Sequence, residues 1–129
     1  MALALCTGCS IGNCIDADSL VKSSDEMISG ISCIKHEALC SEAGLAALKN
    51  LVSENKVDHL AIAACSPRVK SKEFELEGVH VERINLREQV AWVMESGEED
   101  TQMCAEDQTR MILAKLLAIK ENTPYVPQQ

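Results

Sequence analysis

With 129 residues, 47% of them apolar, the chain fits one domain with a genuine core. Its formal charge of −8 repels phosphate backbones and anionic lipid surfaces, so neither nucleic acid nor a membrane surface is an expected partner. No apolar stretch approaches the roughly 20 residues of a bilayer span, and the opening Met-Ala-Leu-Ala-Leu-Cys lacks the positive region of a secretory signal, so the expected location is cytoplasmic.

The elements alternate between strand and helix. Residues 2–6 read as a short buried strand, followed by the loop Thr-Gly-Cys-Ser-Ile-Gly-Asn-Cys. Asp16 or Asp18 caps a helix carrying Leu20, Val21, Met27 and Ile28, with Gly30 as its C-cap. Ile31–Leu39 reads as the second strand, ending at Cys40. Ser41 caps a helix with Leu45, Leu48, Leu51 and Val52 at helical spacing. Val57–Cys65 is the third strand, and its uninterrupted run Leu60-Ala-Ile-Ala-Ala64 suits burial on both faces of a parallel sheet.

Ser66-Pro67 then signals a helix start. Val79–Leu86 alternates only roughly and reads as a fourth strand, followed by helices near 87–96 and 100–121. Met103, Met111, Ile112, Leu116 and Ile119 form the expected core stripe of the last helix. Phe, Tyr and Trp occur once each, which leaves an aliphatic core with Trp92 as its expected aromatic anchor. The predicted fold is α/β: a three-layer, Rossmann-like or flavodoxin-like, mostly parallel four-stranded sheet with helices on both faces. Residues 1–122 form the domain, and the proline-containing 123–129 a tail or linker.

Seven cysteines in a reducing compartment point to metal or catalysis rather than disulfides, and the odd count agrees. Cys6, Cys40 and Cys65 each stand where an apolar run gives way to a helix start. In an open α/β sheet such positions share the ligand-binding edge, near the reversal of strand order. Helix N-termini aimed at that edge favour thiolates. Cys33 and Cys104 read as core packing, and Cys14 is open between a further loop ligand and a bystander. His36 reads as a core or edge histidine. Arg68 and Arg87, just past strand ends, either offset charge at the same rim or form surface ion pairs, and the acidic run Glu95–Asp100 reads as a solvated junction.

Cys40-Ser-Glu-Ala-Gly-Leu, Ala63-Ala-Cys-Ser-Pro-Arg68, Asn85-Leu-Arg-Glu-Gln-Val-Ala-Trp92 and Arg110-Met-Ile-Leu-Ala-Lys115 closely resemble the N-terminal domain of the heterodisulfide reductase HdrA family, over about Leu3–Leu117. The resemblance implies a [4Fe-4S] cluster in an unusual ligand spacing. Cys6 and Cys9 would supply two corners, and Cys40 and Cys65 the others, since a cube takes one cysteine per iron. Two departures stand out. The family's Cys-x-Cys-Gly is here Cys6-Thr-Gly-Cys9 with a further Cys14, and a cysteine and a histidine found in relatives are here Val90 and Met94.

Neither a Gly-x-Gly-x-x-Gly motif nor a ferredoxin Cys-x-x-Cys-x-x-Cys run is present, so the chain alone is not expected to bind FAD or reduce a disulfide. The expected role is a non-catalytic electron-transfer component of an oxidoreductase. Its expected partners are the flavoprotein and ferredoxin-type subunits of a heterodisulfide-reductase-like hetero-oligomer. Two other readings use the same thiols: a zinc-stabilised adaptor without redox role, and a thiol redox protein cycling Cys6 and Cys9.

Overall fold

The computed structural model of the protein describes residues 1–119 and 127–128. Strand β1 (Ala2–Cys6) is buried throughout, with Leu3 and Leu5 turned to one face and Ala2, Ala4 and Cys6 to the other. A strand apolar on both sides belongs in the middle of a covered sheet. It lies between β2 (Ser32–His36) and β3 (His59–Ala64), and β4 (His80–Asn85) completes the order β2-β1-β3-β4. Every pairing is parallel, with Cys6 beside His36 and Leu5 beside Ala63.

The chain leaves β1 toward β2, then passes back over β1 to reach β3. Right-handed crossovers in opposite directions must run on opposite faces. Helices α1 (Ile11–Cys14) and α2 (Ala17–Met27) follow β1, and α2 covers one face together with α4 (Glu99–Ala118). Leu20, Ala105, Leu113 and Leu116 pack there on Leu3, Leu5, Ala61 and Ile84. Helix α3 (Glu42–Asn55) covers the other face, where Leu48 and Leu51 meet Ala2, Ala4, Leu60 and Ile62. Phe74 and Val79 of the β3–β4 connection complete that side. The expected three-layer α/β architecture is what the chain forms, with all four strands parallel. Among the described residues, no helix is long and apolar enough to cross a membrane.

Caps fix the helix starts. Asp16 accepts from the Ser19 N–H at 3.2 Å, and Ser41 Oγ accepts from the Gly44 N–H at 3.0 Å. Each such cap is worth about 1 kcal/mol. A Cβ on Gly44 would lie 2.2 Å from the Ala38 carbonyl oxygen, so glycine is what lets α3 begin directly beneath the turn that carries Cys40.

Several sequence expectations are corrected. Strand β2 ends at His36, because the Ala38 N–H turns back to His36 Nδ1 at 2.9 Å; Cys40 therefore sits in a turn and not at a strand end. No helix follows Ser66-Pro67. The Ser66 hydroxyl does accept from the Arg68 N–H, but Lys70 adopts a left-handed φ of 57° and the segment continues as turns. The helix expected at 87–96 is a π-helical turn, Arg87–Ala91, whose buried residue is Val90. Trp92 is consequently 60% exposed, stacked under the Arg87 guanidinium at 4.5 Å rather than anchoring the core.

On α4 the buried stripe is Thr101, Ala105, Thr109, Leu113 and Leu116, while Met103 and Met111 face outward. Small side chains let this helix approach the sheet, and Thr109 hides its hydroxyl by donating to the Ala105 carbonyl at 2.8 Å. The expected tail at 123–129 lies outside the described residues except for Pro127 and Gln128.

Candidate functional site

The carboxyl edge of the sheet is built by three connections. After β1, the Thr7 N–H donates to the His36 carbonyl at 2.9 Å, carrying the pairing with β2 one residue further. Gly8 then passes so close to the neighbouring turn that an added Cβ would meet the Glu37 carbonyl oxygen at 2.1 Å. Cys9 and Ser10 follow with φ of 51° and 71°. Two consecutive non-glycine residues in the left-handed region mark a backbone dictated by its surroundings, at a cost of about 1–2 kcal/mol each.

These constraints converge the thiols. Cys6, Cys9, Cys40 and Cys65 line one cavity of about 170 Å³, walled by apolar side chains such as Ile11, Val69 and Phe74 and flanked by Lys70 and Arg87. Cys6 is buried and Cys65 half-buried, whereas Cys9 and Cys40 are exposed. Two of the four cysteines are therefore shielded and two accessible to solvent. Among the described residues, no three His, Cys, Asp or Glu side chains are close enough to hold a single metal ion.

The electrostatics come from two guanidiniums and one helix start. Arg83 Nη2 donates to Cys65 Sγ at 3.1 Å. Burial pushes the Arg83 guanidinium below its ordinary value while Cys65 opposes the shift, and an arginine remains charged in any case. Arg87 Nη1 lies 4.0 Å from Cys9 Sγ, and its guanidinium is raised by Glu88, which it pairs at 2.8 Å. The N-terminus of α3, capped by Ser41 as expected, lies directly after Cys40. At Cys65 the expected helix start is missing and Arg83 stands in its place.

The remaining cysteines lie elsewhere. Cys14 is buried in the α2/α4 core, and Cys33 and Cys104 pack against that same core. Burial, with a contribution from Asp25, pushes the Cys33 thiol up, in keeping with a neutral packed group. Arg68 lines a separate groove of about 740 Å³ between the Ser66 turn and α4, none of whose lining residues is a cysteine. Glu95–Asp100 is exposed throughout.

Arg83 and Phe74 are site residues that sequence reading passes over. The available signal is a phase slip in β4, where the apolar positions jump from Val79 and Val81 to Ile84 and Leu86 across Arg83. A charged residue at the slip, facing an otherwise apolar side, requires a partner.

No family model matches the chain. Among curated proteins it is 31% identical over 121 residues to the HdrA polypeptide of the ferredoxin:CoB-CoM heterodisulfide reductase of Methanosarcina mazei, covering 88% of this chain. Identity is also 31%, over the same share, to the corresponding polypeptide of the ferredoxin/F(420)H(2)-dependent CoB-CoM heterodisulfide reductase of Methanosarcina acetivorans. That of the H(2):CoB-CoM heterodisulfide,ferredoxin reductase of Methanothermobacter thermautotrophicus is 28% identical over 84% of the chain. The chain spans 15% of the length of each of the two Methanosarcina proteins and 18% of the third. The resemblance carried by the Ala-Ala-Cys-Ser-Pro-Arg block thus extends along most of the chain, which is related to one segment of the HdrA proteins.

Proposed function

From this kinship with the HdrA proteins of heterodisulfide reductases, we propose that the chain is an electron-transfer domain holding one [4Fe-4S] cluster on Cys6, Cys9, Cys40 and Cys65. The observation that carries the reading is the convergence of four thiols, from three separate connections, on one largely apolar cavity. A cubane takes one thiolate at each iron and so calls for sulfurs spread about a volume. A structural zinc ion instead needs its four donors at about 2.3 Å from one centre. The kinship with heterodisulfide reductases, which are redox proteins, supports the cluster over a redox-silent zinc adaptor. A cycling Cys6/Cys9 dithiol leaves the other two thiols without a role.

Such a cluster supplies one-electron transfer. The chain's own residues would grip it, offset its charge and control its exposure. Cys6 and Cys65 are the shielded ligands, and Arg83, Arg87 and Lys70 set positive charge around the cavity. Hydrogen bonds to ligand sulfur raise the potential. Cys9 and Cys40 face outward, where a redox partner gains access. Cys14, on the opposite face, stays outside the ligand set. The partners on this reading are the flavoprotein and ferredoxin-type subunits of a heterodisulfide-reductase-like hetero-oligomer in the cytoplasm.

Anaerobic purification with iron and acid-labile sulfide analysis tests the assignment. About four of each per chain are expected, with broad visible absorption that bleaches on reduction. Stoichiometric zinc without sulfide, or a chain that stays iron-free after anaerobic reconstitution, overturns it. Native anaerobic pull-down should return flavin and iron–sulfur subunits, and recovery of this chain alone removes the assembly from the proposal.

A further inference from the structure

Arg83 sits inside β4, paired with Ile62 of β3, where a parallel sheet ordinarily places an apolar side chain. Its Nη2 reaches the Cys65 carbonyl at 3.0 Å, the Ser66 carbonyl at 3.1 Å and Cys65 Sγ at 3.1 Å, while Nη1 donates to the Val69 carbonyl at 3.0 Å. The guanidinium lies 4.5 Å over the Phe74 ring, and its buried Nε has no partner among the described residues. A planar fork with five donors suits this task, whereas an ammonium is a compact point donor.

The segment it grips is the one where the expected helix is missing. A helix beginning at Ser66-Pro67 would have satisfied the Ser66 and Val69 carbonyls with its own amides and aimed the positive end of its dipole at Cys65. Arg83 does both jobs from the neighbouring strand, with a full charge in place of a partial one. Arg87 differs: its contact to Cys9 is long, and it is shared with Glu88 and Trp92.

We infer that Arg83 is a positioning residue that fixes the Cys65 sulfur at the cavity and, by donating to it, raises the potential of the redox centre bound there. The first half stands on the geometry alone. The second rests on the proposed cluster.

Arg83→Met and Arg83→Lys in the full chain test both halves. In the chain as purified, amide hydrogen exchange over residues 66–74 should accelerate about tenfold in Arg83→Met and less in Arg83→Lys, with β1 and β2 unaffected. Unchanged exchange in both variants overturns the positioning role. In anaerobically reconstituted protein, the midpoint potential should fall in Arg83→Met by the equivalent of a tenfold less favourable reduction, about 59 mV for one electron.

Arg83→Lys keeps the charge but loses the fork, so its potential should lie between those of the Met variant and the wild type; it also carries the test should Arg83→Met fail to fold. A wild-type potential in both variants overturns the tuning role, because a merely structural residue would leave it unmoved. If the wild-type chain takes up no iron, the cluster assignment fails and the tuning half falls with it, while the exchange experiment still decides the positioning half.

Discussion

Against the face closed by α2 and α4, Cys14, Cys33 and Cys104 pack among aliphatic side chains. Toward the α3 face, Cys6 and Cys65 share a cavity with Cys9 and Cys40. The two sets have the same chemistry and opposite surroundings. Regular helices cover the first face, and its thiols, one buried and two half-buried, act as small hydrophobes. The second face is closed by α3 on one side but by an irregular connection on the other, held by Arg83, and the cavity opens between them. A thiol's role here follows from where the topology delivers it.

Exchanging cysteines across this divide gives the largest expected effect. Cys40→Ala or Cys65→Ala should remove most of the iron and lower stability, since bound metal contributes folding free energy. Cys33→Ala and Cys104→Ala should leave iron content unchanged. Loss of iron in Cys104→Ala with retention in Cys40→Ala would reverse the comparison.

Gly44→Ala probes how the cavity side is assembled. The change favours helix by about 1 kcal/mol, but it drives a Cβ into the Ala38 and Leu39 backbone at 2.2–2.5 Å. A net loss of about 2 kcal/mol in denaturant unfolding is expected, with reduced iron because the Cys40 turn shifts. On the closed face, Cys14→Ala removes one buried sulfur and should cost only about 1 kcal/mol, with iron intact.

The smallest effect lies near the start of β4. Burial pushes the Glu82 carboxyl up, but hydrogen bonds from His80 and Lys115, both at 3.0 Å, outweigh it and hold the carboxyl below its ordinary value. A depressed folded value stabilises the fold above the ordinary glutamate range and loses that contribution as pH falls through it. Glu82→Gln should therefore cost up to about 1 kcal/mol at neutral pH. Stability curves of variant and wild type should converge on acidification, without change in iron content at neutral pH.

What was legible in the sequence is what burial writes in runs. Strands β1 and β3 are apolar on both sides and read as such, and Asp16 and Ser41 cap the helices as their types suggest. The meeting of Cys6, Cys40 and Cys65 followed from placing those runs side by side in one sheet. Less legible was anything settled by tertiary contact. Met103 and Met111 outrank Thr101 and Thr109 in hydrophobicity, yet close approach of α4 to the sheet selects the small residues. Ser66-Pro67 carries a good helix signal, but the carbonyls after it are taken by a guanidinium from another strand. Trp92 is large enough to anchor a core, but the π-helical turn gives that place to Val90.

The strand order has a further consequence, in time. Cys6 and Cys65 are nearly half the chain apart, and the walls between them exist only once β3 has docked against β1. Parallel pairing over such a separation is slow, because loop closure precedes its reward. A chain emerging from the ribosome therefore has no short stretch that encloses the hollow. Its assembly is a late event, governed by completion of the sheet and not by any local loop.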